Sequence, residues 1–213
     1  MEKLILIGGG GHCKSVIDTI QSLDVYEIVG IIDVKEKVGQ YINGIKIIDS
    51  DDNLNNYKSK GYSAFITIGS IGNVETRIRI LEQLKKLKFK IPYIIDKTAI
   101  IANDASIGRG TFVGKRAIVN SSSEIGENCI INSGSIVEHN CEIGDFVHIA
   151  PGSIICGGAK VKENSHVGAG SVIIQYKNIG KNCIIGAGSV VVNNVKDNKI
   201  AYGNPAREVR INE

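Results

Sequence analysis

From residue 101 onward a branched aliphatic residue recurs at every sixth position: Ile101, Ile107, Val113, Val119, Ile125, Ile131, Val137, Ile143, Ile149, Ile155, Val161, Val167, Ile173, Ile179, Ile185 and Val191, without exception or insertion. Two positions earlier the residue is usually small, as at Ala105, Thr111, Ser123, Cys141 and Ser165, and one position later glycine is frequent. A helix repeats every 3.6 residues and a strand every two, so neither closes on six with one obligatory Ile or Val. A coil of three short flat sides joined by three turns does. The branched residue then points into the prism, the small one fills beside it, and glycine relieves the turn where positive φ or close backbone approach is needed. Three hexapeptides make one coil, and residues eighteen apart stack at about 4.8 Å. The span 101–195 predicts about five such coils.

The first hundred residues lack this rhythm. Leu4–Ile7 reads as a buried strand, Gly8–Gly11 as a turn, and Cys13, Val16, Ile17 and Ile20 as one face of a helix. Further strands are predicted over Glu27–Asp33, Ala64–Gly69 and Ile91–Asp96, and a second helix carries Val74, Ile78, Leu81 and Leu84. Alternating strands and helices predict a small parallel sheet of dinucleotide-fold type, with a ligand at the carboxyl ends of its strands. The expected domains are residues 1–97, an α/β Rossmann-like unit, and residues 98–213, an all-β solenoid. Gly8 to Gly11 would let backbone approach a phosphate at a helix N-terminus, although Cys13 stands where the third glycine of the dinucleotide fingerprint belongs.

Composition narrows the function classes. At 43% hydrophobic and 22% charged, the 213-residue chain is an ordinary soluble protein, not a disordered one. A net charge of +3 with dispersed Lys and Arg leaves no footprint for nucleic acid, and Lys85, Lys86, Lys88 and Lys90 read as a solvated helix face. The apolar run at the N-terminus is shorter than the ~18 residues of a membrane span and leads into a glycine turn instead of a cleavage site, so a cytoplasmic protein with no membrane partner is expected. Five cysteines without C-x-x-C spacing read as reduced structural thiols, and no metal site is expected.

The repeat, closing on Tyr-Gly-Asn-Pro-Ala-Arg at Tyr202–Arg207, resembles the left-handed parallel β-helix of the hexapeptide-repeat acyltransferases, which implies their usual homotrimer. With a Rossmann-like half in front of it, the chain resembles the NeuD/PglD-type sugar acetyltransferases along essentially its whole length. That resemblance implies a nucleotide-sugar substrate held by Gly10, Gly11 and His12 of GGGGH, Asp33 of IID and Gly69 of TIGS. Val34 and Ser70 depart from the acidic residue and the Asn that many relatives carry at those places.

The same resemblance gives roles to the histidines of VEHNCEIGDFVH, residues 137–148. His139 matches the general base and His148 a residue contacting acetyl-CoA, the implied co-substrate. Acetyl-CoA is expected along the groove between adjacent β-helices, passing Gly157, Ala169 and Ala187, with the pocket shared across a subunit interface. An imidazole suits the task, because removing a proton from an attacking amine or hydroxyl needs a base near neutral pKa. Backbone amides of the Cys156-Gly157-Gly158 turn are candidates for holding the oxyanion. Asn140 stands where relatives place Asp or Glu, and a neutral amide orients an imidazole but stabilises imidazolium less. His166, eighteen residues after His148, is expected one coil away. Three functions compete at this stage: N-acetylation of a nucleotide-linked amino sugar, O-acetylation of a sialic acid or related sugar, and a non-catalytic nucleotide-sensing scaffold.

Overall fold

A computed structural model describes residues 1–212. The chain divides into two compact units, Met1–Gly69 with Glu75–Lys97, and Ser70–Val74 with the chain from Thr98 onward.

The first unit is built on β1 (Glu2–Ile7), α1 (Gly11–Leu23), β2 (Tyr26–Asp33), β3 (Tyr41–Ile42), β4 (Ile45–Ser50), α2 (Leu54–Lys58), β5 (Ser63–Ile66), α3 (Glu75–Lys86) and β6 (Ile94–Ile95). Its sheet runs β3-β4-β2-β1-β5, with β4, β2, β1 and β5 parallel. Leu4, Ile5, Leu6 and Ile7 of β1 are all buried, as a central parallel strand covered on both faces requires. The chain winds from β1 outward through β2 to β4 and then returns to β5 on the other side of β1, so the crevice opens beyond β1 and β5.

Three local expectations change. The hydrophobic face of α3 is Ile80, Leu81 and Leu84 with the stem of Arg77, while Ile78 is half-exposed. The predicted strand Ile91–Asp96 shrinks to Ile94–Ile95. The β3–β4 hairpin is absent from the predicted elements although its Asn43-Gly44 pair marks a two-residue turn, both residues having positive φ.

The second unit is a three-sided solenoid of two-residue strands. Face one stacks Ile100–Ile101, Ile118–Val119, Ile136–Val137, Ile154–Ile155, Val172–Ile173 and Val190–Val191. Face two stacks Ser106–Ile107, Glu124–Ile125, Glu142–Ile143, Lys160–Val161 and Asn178–Ile179. Face three carries Phe112–Val113, Ile130–Ile131, His148–Ile149, His166–Val167 and Ile184–Ile185, and ends on an antiparallel pair, Lys199–Gly203 with Ala206–Ile211. Neighbours pair in register at a spacing of eighteen, such as Ile136 with Ile154 and His148 with His166. From Val113 on, each sixth-position aliphatic residue is at most 3% exposed, which stabilises the prism by about 1.5–3 kcal/mol per side chain.

The small inward residues do more than fill space. Thr111, Ser123, Ser153, Ser165 and Ser171 each donate a hydroxyl hydrogen bond of 2.6–2.8 Å to a backbone carbonyl fifteen residues on. Corner carbonyls that the short strands cannot pair are thereby satisfied.

Glycine's role at the turns also divides in two. The glycines that follow the core residues have ordinary φ. A Cβ on Gly108 would lie 2.5 Å from the backbone of Gly126, so these positions serve close approach of successive coils. Positive φ falls two residues later, as at Gly134, Asn140 and Asn164.

Candidate functional site

The N-terminal residues singled out in the sequence come together. Gly10, Gly11, His12, Asp33 and Gly69 line one pocket of about 380 Å³ at the carboxyl ends of β1, β2 and β5. Asp33 organises its floor. Its carboxylate accepts hydrogen bonds from the amides of Gly9 at 2.6 Å and Val34 at 2.7 Å, and pairs with Lys37 at 3.1 Å. Burial alone would raise this carboxyl, but the two amides and Lys37 outweigh it and hold it below the usual carboxylate range. No side chain caps α1 at Gly10, which leaves its N-terminal end suited to an anion.

Within Gly8–Gly11 the steric need for glycine is strongest at the first residue. Gly8 has φ +104° and a Cβ there would run into Ile68, whereas Gly10 and Gly11 have open space around them. Lys37, Asp51, Thr76 and Arg79 also line the pocket. Of these, only Lys37 had a visible signal, lying four residues after Asp33.

On the solenoid, His139 occupies the corner between faces one and two. Its Nδ1 lies 2.9 Å from Asn140 Oδ1. With Nδ1–H donating to that oxygen, the lone pair sits on Nε2. The ring lies over Gly157, one coil on, where a Cβ would stand 2.6 Å from both Cε1 and Nε2. Gly157, expected as a cofactor contact, is thus also the floor beneath the imidazole. Of the three amides in the Cys156-Gly157-Gly158 turn, Cys156 donates to Ile173 O and Gly158 to His139 O. The Gly157 N–H has no acceptor among the described residues.

His148 does not join His139. It projects from face three, with Nδ1 3.0 Å from the Ser70 carbonyl and Nε2 3.2 Å from Asn132 Nδ2. Both ring nitrogens therefore bind within the chain, and the imidazole holds the Ser70–Val74 segment to the solenoid. A cofactor contact through either nitrogen would first have to displace one of these partners. Ala169 and Ala187 lie exposed at the corner between faces three and one, the opposite edge of face one from His139 and Gly157. No single solenoid gathers all of these residues into one groove.

His166 does stack on His148, the rings 4.8 Å apart and edge-on. It is 7% exposed and its Nδ1 has no hydrogen-bond partner among the described residues. Burial, with a smaller contribution from His148, pushes its pKa down to about 4. An unfolded chain takes up that proton near 6.5, so between these values the unfolded state binds more protons and stability falls as pH drops. The loss amounts to about 3 kcal/mol at most. Urea unfolding at pH 7 and pH 4.5 should show His166→Gln losing less stability on acidification than the natural protein.

Burial sets the state of four of the cysteines. Burial raises Cys13 and Cys141 to about 11 and pushes Cys156 and Cys183 up as well, which disfavours thiolate. Among the described residues no His, Cys, Asp and Glu group is arranged to hold a metal ion, and no helix is long and apolar enough to cross a membrane.

A hexapeptide solenoid with an oriented corner imidazole over a glycine, joined to an α/β unit with a glycine-rich pocket, defines an acyltransferase of the hexapeptide-repeat class. Residues 3–84 match the PglD N-terminal domain, residues 104–139 and 140–175 the bacterial transferase hexapeptide (six repeats), and residues 178–193 the hexapeptide repeat of succinyl-transferase. The acetyltransferase domain of PglB from Neisseria gonorrhoeae, solved with acetyl coenzyme A, is 31% identical over 98% of this chain and 99% of that one, with a TM-score of 0.89. PerB from Caulobacter crescentus, solved with CoA and GDP-perosamine, is 29% identical over 99% and 98%, with a TM-score of 0.91. WeeI from Acinetobacter baumannii, at 19% identity and a TM-score of 0.67, shares the fold. No curated protein matches the chain. The chain belongs to the NeuD/PglD-type sugar acetyltransferases, an α/β unit followed by a left-handed parallel β-helix.

Proposed function

We propose that the protein transfers the acetyl group of acetyl-CoA to the amino group of a nucleotide-linked amino-deoxy sugar, with His139 as general base. The observation that carries this reading is the corner geometry: Nδ1 fixed by Asn140, Nε2 presented over Gly157, and the amide of Gly157 unused among the described residues. The amine nitrogen attacks the thioester carbonyl and forms the new C–N bond. Gly157 N–H holds the oxyanion, and Nε2 takes the proton released by the nitrogen. Collapse breaks the C–S bond, and the imidazolium returns the proton to the departing thiolate. No covalent enzyme intermediate is needed.

The N-terminal pocket would hold the nucleotide, with Gly10, Gly11 and His12 near the phosphates and Asp33 and Gly69 on the remainder. The similar PerB is a GDP-perosamine N-acetyltransferase solved with that nucleotide sugar, which supports nitrogen over oxygen as the acceptor. Both co-substrates are metabolites of the cytoplasm, which is where we place the enzyme.

The active form is a homotrimer in this reading. The outward residues of face one are all aliphatic: Ile100, Ile118, Ile136, Ile154, Val172 and Val190, each exposed or half-buried. Face two presents Ser106, Glu124, Glu142, Lys160 and Asn178 instead, with an ion pair between Lys160 and Glu142. A continuous apolar row beside a polar face marks a contact surface. Covering face one with further copies brings the His139 and Gly157 edge of one chain beside the Ala169 and Ala187 edge of the next, and completes a groove for acetyl-CoA. His148 would take part by fixing Ser70–Val74 near that groove.

The test is thiol release from acetyl-CoA with a panel of UDP-, dTDP- and GDP-linked amino sugars alongside sialic acids. One of the nucleotide amino sugars should support turnover at 1–10³ s⁻¹, on the order of ordinary enzymes. Turnover confined to sialic acids, or to none, would reject the reading.

A further inference from the structure

Every sixth residue of the solenoid, from Gly110 to Gly188, sits at a corner with φ between +52° and +71°. Glycine or asparagine, the residues that tolerate this region best, fill ten of these fourteen places. Arg116, Ser122, Phe146 and Tyr176 fill the other four. Arg116 and Ser122 lie at the start of the solenoid, where side-chain oxygens of Thr98 and Asp104 take up their amides. Phe146 buries its ring and is 9% exposed. Tyr176 donates its amide to Gly157 O at 3.1 Å, but it holds φ +58° with the residue 72% exposed, so no burial of the ring offsets the strained backbone.

The ring nonetheless sits against Gly158, where a Cβ would stand 2.5 Å from Cδ1 and Cε1. Gly157 and Gly158 are therefore covered from opposite directions, by the His139 imidazole from the preceding coil and by the Tyr176 phenol from the following one. Tyr176 stands on the same corner edge as His139, two coils or about 10 Å further along the axis. A thioester placed at Gly157 that runs its long arm along this edge meets the Tyr176 ring.

We propose that Tyr176 is a further binding residue for the thioester co-substrate, a wall against which the pantetheine arm of acetyl-CoA lies as its carbonyl meets Gly157. This rests on the acetyl-transfer reading above. The phenyl face packs against the arm's methylenes and amide planes, and the hydroxyl can donate to an amide carbonyl.

The test compares Y176G and Y176F with the natural protein. Glycine adopts φ +58° at no steric cost, so Y176G should unfold at the same or a higher Tm. Its KM for acetyl-CoA should nevertheless rise about tenfold, with kcat and the KM for the nucleotide sugar within about twofold. Y176F, which keeps the ring, should show a rise of only about two- to threefold. A merely structural tyrosine would move Tm and leave KM alone, and an unchanged KM for acetyl-CoA in Y176G overturns the proposal. Calorimetric titration of CoA into both proteins decides the point without turnover. Equal affinities reject the wall alone, whereas no CoA binding by the natural protein rejects the acetyl-transfer reading along with it.

Discussion

His139→Ala should lower kcat by about 10²–10⁴, the usual contribution of a positioned general base, while CoA binding stays within a few-fold of the natural protein. In the proposed reading the two effects separate because the imidazole would meet the proton of the attacking nitrogen, whereas the co-substrate would be held by backbone, small side chains and the Tyr176 ring along the groove. His139 is exposed on a corner turn, and its own backbone carbonyl accepts from Gly158 N–H whatever the side chain. The substitution therefore leaves the coil intact, and unchanged circular dichroism and Tm should accompany the loss. Removing Asn140 gives a graded companion: Asn140→Ala loses the 2.9 Å contact that orients Nδ1 but leaves the base, so its loss should be smaller. Stopped-flow detection of the released thiol measures both. Full turnover by the His139 variant would remove the imidazole from the mechanism.

The buried half of the solenoid was readable from one rule and the surface half was not. A branched residue at every sixth position is demanded by a prism that admits one inward side chain per side, so the core follows from period six alone. What lies outside a coil repeats at eighteen, because each outward residue meets only its stacked neighbour. Read at that spacing, Ile118, Ile136, Ile154 and Val172 form an aliphatic row while Glu124, Glu142, Lys160 and Asn178 form a polar one. The period-six reading averages over three faces and conceals this difference. It likewise set Gly157 beside Ala169 and Ala187, which share a repeat position but stand at different corners.

The N-terminal pocket was legible at Gly8–Gly11, where a strand end meets a helix start, whereas His12, Asp33 and Gly69 followed only from the family resemblance. Thr76 and Arg79 escaped because α3 delivers them from more than forty residues away, and nothing local marks the inward side of a helix end. The role of His148 was hidden for the same reason. Its tie to Ser70 joins residues 78 apart in sequence, and no periodicity links them.

Ile154→Glu puts the trimer to the test at the middle of the aliphatic row. The side chain points out of the coil, half-exposed, while Ile155 next to it fills the prism, so the substitution spares the core. In an assembled trimer three carboxylates would be carried into apolar contact around one axis. Each loses its hydration and faces the others, at a cost of several kcal/mol per buried charge. Sedimentation should therefore find the natural protein trimeric and the variant monomeric at the same concentration, with far-UV circular dichroism preserved. Acetyl transfer should fall at least about tenfold, because the Ala169 and Ala187 edge of a neighbour no longer faces His139. Asn178→Glu adds the same charge to the polar face and should change neither mass nor rate. If Ile154→Glu remains trimeric and active, face one is not the contact surface, and the groove must be completed by some other edge of the solenoid.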